Sequence, residues 1–201
     1  MVKEHFTPHG VSSFKGKVRQ HVEDCVALYS GRESVDLVAD FARPVSRRAM
    51  LGFFGLEAVA SETIDLWTSE FFAFLINPDP DFADVCRVDT LIKEVMQEIT
   101  SARGKGKFII SDVDSSSDEK LRYSFDALVA STLVDGLPPL VGTLALGGFA
   151  ALGSRGTWQE WSNQDCLSRD VTQEISRWAS FFTFVVRYAR ESIIVDGDRF
   201  N

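Results

Sequence analysis

Leu121–Gly153, LRYSFDALVASTLVDGLPPLVGTLALGGFAALG, is the longest weakly charged run in the chain, and only Arg122, Asp126 and Asp135 interrupt it with charge. Apolar or small residues recur at 121, 125, 128, 132, 139, 143 and 146, with Asp135 on the same row. That three-and-four spacing predicts a helix with a buried face. The stretch is apolar on most other faces too, which predicts a path through the middle of the fold. It is too patchy in polarity for a plain transmembrane helix. Pro138 and Pro139 have no N–H and crowd the carbonyls of Val134 and Asp135, and a residue before proline avoids the helical region, which sets a break at Leu137. The reading is two helical pieces, or one strongly kinked helix, with Asp135 at the break in an apolar centre.

Working outward, Pro8–Tyr29 carries Val11, Phe14, Val18, Val22, Val26 and Tyr29 on one helical face. Ser34–Phe54 reads as a helix or helix pair jointed at Pro44 and stopped by Gly55. Leu56–Ile76 follows, with Ile64, Trp67, Phe71 and Phe74 as its buried stripe. Asn77-Pro78-Asp79-Pro80-Asp81 is a turn, and Val88–Arg103 is a helix bearing Leu91, Ile92, Val95, Met96 and Ile99. A polar loop over 104–118 ends at Ser117-Asp118-Glu119, which caps the central helix. Two short helices are predicted near 157–164 and 168–179. The tail, TFVVRYARESIIVDGDRF, alternates and contains Asp196-Gly197, a β-hairpin signature.

The composition, 45% hydrophobic and 25% charged over 201 residues, is that of one soluble globular domain covering 1–201. A formal net charge of -8 disfavours nucleic acid and anionic membrane as partners. Cys25, Cys86 and Cys166 lie far apart, without zinc spacing or a disulfide framework. MVKEHFTPHG has no apolar signal core, so a cytoplasmic location is expected. His5, His9 and His21 lack partners at ligand spacing and read as surface residues. Asp79, Asp81, Asp84 and Asp89 have the oxygens a hard cation wants, but their prolines favour a solvated turn. No metal site is expected.

The order of segments resembles the middle of a bacterial cytochrome P-450. ESVDLVADFARPVSRRAMLGFFGL is similar to a family segment, SSDEKL resembles the start of its distal oxygen-activating helix, and VTQEISRWASFFTFVVRYARESIIVDGDRF resembles its E-x-x-R helix and first inner strands. The resemblance implies a mainly α fold: the helical core of the cytochrome P-450 fold with a small C-terminal β-hairpin. It matches Glu174 and Arg177 to the E-x-x-R, and Arg187 to an arginine that holds a haem propionate. The family's haem-binding cysteine loop lies past the E-x-x-R region and is not reached by Asn201, and its N-terminal part is also absent. The family's A/G-G-x-D/E-T-T aligns with Asp135-Gly136-Leu137-Pro138-Pro139-Leu140, replacing the proton-delivering acid and threonine by prolines. The resemblance therefore implies a truncated, haem-less homologue without cofactor and without monooxygenase activity.

Asp135 then reads either as a buried general acid or base with a raised pKa or as a turn residue capping the helix that begins at Pro138. Glu174 and Arg177 read as a structural pair. Arg187, without its propionate, reads as a binder of a substrate carboxylate or an internal Asp, or as a surface cation. Leu128, Thr132 and Pro139 share the Asp135 row. Trp178, Phe182 and Phe184 are core residues by composition, and by resemblance they line a substrate pocket.

Two functions follow as expectations. One is a haem-free enzyme that uses a hydrophobic pocket, with Asp135 as proton donor or acceptor, to cyclise, isomerise or dehydrate a polyketide- or terpenoid-like intermediate. The other is a non-catalytic auxiliary, as haem-less relatives activate glycosyltransferases of antibiotic biosynthesis. A homodimer is expected from exposed apolar faces.

Overall fold

The computed structural model describes residues 7–102, 119–163, 167–179 and 192–200. In chain order these form α1 (Pro8–Tyr29), a π-helical turn (Leu37–Ala42), α2 (Arg43–Phe54), α3 (Ser61–Ile76), α4 (Phe82–Ala102), α5 (Glu119–Leu152), α6 (Arg155–Ser162), α7 (Arg169–Trp178) and an antiparallel hairpin of β1 (Ile193–Val195) and β2 (Asp198–Phe200). The architecture is mainly α, with the hairpin at the C-terminal end, as the sequence implies.

Capping residues explain most of the boundaries. Thr7 accepts from the Gly10 N–H at 3.2 Å and Pro8 opens α1, where a missing N–H costs nothing. Asp36 accepts from Val38 and Ala39 N–H at 2.8 Å, while Asp40 returns a bond to the Asp36 N–H at 2.9 Å. Those two backbone donors hold the Asp36 carboxyl below its usual range. Gly55 stops α2 at φ 72°, letting the Leu56 N–H reach the Leu51 carbonyl at 2.8 Å. The Asp196-Gly197 turn has both φ values positive, 51° and 92°, as a two-residue hairpin requires.

Two boundaries move. α3 begins at Ser61 rather than Leu56, because Leu56 is used to close α2 and is buried. α4 begins at Phe82, well before Val88, because Asp81 and Asp84 form a reciprocal cap. The Asp84 N–H donates to Asp81 Oδ1 at 2.8 Å, and the Asp81 N–H donates to Asp84 Oδ2 at 3.2 Å. The acidic turn is a capping box, and among the described residues no group of side chains is arranged to hold a metal ion.

Of the two forms expected for the central stretch, two pieces or one kinked helix, the structure has a single helical element. α5 runs unbroken for 34 residues with Pro138 and Pro139 inside it. The two prolines delete the bonds to the Val134 and Asp135 carbonyls, yet the turns on either side are held by packing. α2, α3, α4, α6, α7 and the π-helical turn all lie against α5. Its buried row is Phe125, Val129, Leu133 and Leu137, joined by Ala130 and Val134 and meeting Leu51, Phe54, Leu56, Ile64, Trp67, Leu91, Val95 and Ile99. The row holding Leu128 and Asp135 points the other way, and both residues are exposed. An uncommon feature lets the neighbours close in. An added Cβ on Gly147 would stand 2.8 Å from Ile175 Cγ2 on α7, and one on Gly136 would stand 3.3 Å from Met50 Cε on α2.

Candidate functional site

An apolar cavity opens between α3, α4 and α5. Its volume is about 230 Å³, and its walls are Phe71 from α3, Leu91, Ile92, Val95 and Met96 from α4, and Tyr123, Ala127, Ala130, Ser131 and Val134 from α5. Apart from the Tyr123 phenol, the walls carry no titratable group. The Ser131 hydroxyl donates to the Leu128 carbonyl at 3.0 Å, which leaves its oxygen lone pairs to accept a bond from a guest.

Ala127, Ser131 and Val134 each stand one position before Leu128, Thr132 and Asp135. One residue turns a helix by about 100°, so the cavity lies a quarter-turn or more from the row that spacing singled out. Leu128 is 45% exposed, and Asp135 is exposed with no ion-pair or hydrogen-bond partner among the described residues. Thr132 and Pro139 are half-buried, and the Thr132 hydroxyl donates to the Leu128 carbonyl at 2.7 Å. Trp178 is 55% exposed at the end of α7. Arg187, Phe182 and Phe184 lie outside the described residues. The expected environment of Asp135, an acid facing an apolar core, is thus corrected. The buried carboxylate of α5 is Asp126, whose Oδ2 accepts from the Thr100 hydroxyl of α4 at 3.3 Å.

The cavity residues were visible only in part. Leu91, Ile92, Val95 and Met96 form two adjacent apolar columns on α4, a wider stripe than one packing seam needs. On α5, Ala127, Ser131 and Ala130 are small, and small residues opposite a broad apolar stripe are what leave a void.

A second hollow of about 110 Å³, at the α3–α4 turn, is lined by Glu70, Asn77, Asp84 and Arg87 among others. Arg87 pairs with Asp84 at 2.9 Å and with Glu70 at 3.6 Å, so its charges answer one another. On α7, Arg177 clasps Glu174 through two bonds of 2.7 and 2.6 Å and holds that carboxyl below its usual range. The pair is exposed, and its role in the described structure is local.

Superposition on solved structures decides what this arrangement is. P450BioI, in its complex with hexadec-9Z-enoic acid ligated acyl carrier protein, matches with a TM-score of 0.73 at 16% identity, over 99% of this chain and 53% of that one. The chain has the fold of a cytochrome P450. CYP109B1 from Bacillus subtilis matches with a TM-score of 0.70 at 18% identity, over 88% of this chain and 50% of that one. The P450-like chain therefore spans about half the length of these structures. No protein-family model and no curated protein matches its sequence.

The described thiols do not suit a P450 haem, whose iron needs a thiolate. Cys25 is buried between α1 and the π-helical turn, its Sγ–H directed at the Asp40 carbonyl at 3.1 Å, and burial pushes its pKa up. Cys86 is exposed on α4, and Cys166 lies outside the described residues.

Proposed function

We propose that this P450-like chain binds a compact apolar molecule of polyketide or terpenoid type in the cavity between α3, α4 and α5. In this reading it serves as a non-redox binding or auxiliary unit. The observation that carries it is the cavity's lining, which is apolar on nearly every side and offers one accepting hydroxyl at Ser131. Such walls favour a guest by removing its surface from water and use one polar contact to orient it. They offer no carboxylate or imidazole for proton transfer. Acid–base chemistry through Asp135 would require that side chain to face the guest, and it sits about 100° further round the helix and exposed. The binding reading therefore stands ahead of cyclisation, isomerisation or dehydration.

Size narrows the guest. A cavity of about 150 Å³ lined by aliphatic and aromatic groups takes up benzene, so about 230 Å³ suits a fused bicycle or a short acyl unit. The hexadecenoyl group in the P450BioI complex would overfill it.

Titration with 1-naphthol, followed by its fluorescence, tests the reading. Saturable binding is expected, with displacement by decalin and weak competition from palmitoleic acid. Ala127→Phe, which fills the cavity from a half-buried position, should weaken binding at least roughly tenfold while the helical circular dichroism is kept. Binding that ignores this substitution, or no saturable binding, would remove the proposal.

A further inference from the structure

The walls of the cavity between α3, α4 and α5 are of two kinds. Leu91, Val95, Ala130 and Val134 are deeply buried and belong to the core. Aliphatic groups like these take up any apolar guest by removing its surface from water. The second kind carries π electrons or sulfur, and each helix around the cavity supplies one such side chain: Phe71 on α3, Met96 on α4 and Tyr123 on α5. Phe71 and Met96 also pack against the core, which is reason enough for their presence. Tyr123 has no such reason. It is 69% exposed and stands outside the core cluster, yet it lines the cavity. Ala127 follows one turn later on the same face of α5 and brings only a methyl group beside it. The next turn of the helix therefore leaves that flank of the Tyr123 ring uncovered.

We propose that the cavity selects a planar, fused aromatic guest of polyketide type over a saturated bicycle of terpenoid type, and that the Tyr123 ring makes the selection by contact with the guest's own ring. This rests on the binding reading above and narrows it to one chemical class. Two aromatic rings set offset or edge-on gain more than the area they bury. A thioether gains in the same way at the edge of a ring. A saturated ring has no quadrupole and receives neither contribution. Water exclusion alone works in the opposite direction. Decalin carries more hydrogens than naphthalene on the same number of carbons, exposes more apolar surface to water and gains more by leaving it. The order in which the two hydrocarbons bind therefore separates recognition by Tyr123, Phe71 and Met96 from plain burial against Leu91 and Val95.

Displacement of bound 1-naphthol by naphthalene and by decalin, followed by the fluorescence of the probe, tests the proposal. Naphthalene should displace it at a concentration at least roughly fivefold below that of decalin. Tyr123→Leu keeps an apolar side chain and removes the ring, and it should bring the two hydrocarbons level or reverse them. Tyr123→Phe keeps the ring and should keep the original order. Position 123 is exposed, and unchanged helical dichroism verifies the fold of both variants. Saturable 1-naphthol binding with the two hydrocarbons equal, or with decalin ahead, overturns the selection and leaves the binding reading standing. A preference for naphthalene that Tyr123→Leu does not alter overturns the role of Tyr123. Failure of 1-naphthol to bind saturably removes the binding reading and this inference together.

Discussion

Asp135→Asn removes the charge of a side chain that already faces solvent and pairs with nothing among the described residues. Its effect on stability should lie within about 0.5 kcal/mol, where a buried ion pair would lose roughly 3 kcal/mol or more. Urea denaturation distinguishes the two outcomes. His21 is a residue whose titration bears on folding. It is half-buried between α1 and α2, with Nε2 shielded and unpartnered, and burial followed by the nearby Arg48 lowers its pKa below 6.5. Lys17 pushes the same way, while Asp24 and Glu57 oppose. The unfolded chain therefore takes up this proton at a higher pH than the folded one. His21's contribution to stability is complete above pH 6.5 and falls away as the pH drops from there through the folded value. Denaturation midpoints measured from pH 7.5 to about 5 should fall less steeply in His21→Gln than in the unaltered protein. Parallel curves would show that His21 titrates alike in both states.

At the scale of elements, α5 is positioned by what its neighbours lack. Gly147 lets α7 approach, and the Thr143 hydroxyl donates to the buried Ala179 carbonyl at 3.5 Å, tying down the end of α7. Gly147→Ala drives a methyl into Ile175 Cγ2 at 2.8 Å. Ile175 is β-branched, on a helix, and has little rotameric escape, so the substitution should destabilise by about 1–3 kcal/mol. Gly156→Ala is the contrasting case. Its Cβ would meet only Ser154 Oγ at 4.0 Å inside exposed α6, and higher helix propensity should make it neutral to stabilising by up to about 1 kcal/mol. Urea melts of both variants check the pair, and an equal loss in both would deny that α5 and α7 are in contact at Gly147.

Over the whole molecule, stability should not be uniform. α5 lies against most of the other helices and supplies Leu133 and Val129 to the deepest core. α1 packs on α2 and the π-helical turn, burying Phe14 and Cys25 but leaving Val11 and Val26 more than half exposed. Apolar burial sets the free energy of local opening. Native-state hydrogen exchange should therefore find the amides of α1 opening at lower free energy than those of Val129–Leu133. Equal protection along both helices would mean that the chain opens only as one unit.

Much of the architecture was legible in the chain because it is written in local chemistry. Pro8, Gly55 and Asp196-Gly197 place helix ends and turns through φ preferences, and these act without regard to what packs nearby. The resemblance of ordered segments to a P450 held for the same reason, since it rests on the succession of helices. The course and orientation of α5 did not follow from its sequence. Its residues are apolar nearly all round, so two rows spaced by threes and fours coexist: Phe125–Val129–Leu133–Leu137, and Leu128–Thr132–Asp135–Pro139. Periodicity identifies the helix but cannot choose between them. The choice fell to the surfaces of α2, α3 and α4, whose Leu51, Trp67 and Val95 meet the first row. Their packing kept the helix in one piece past two prolines that local preference uses to end or kink a helix, and it left Asp135 exposed.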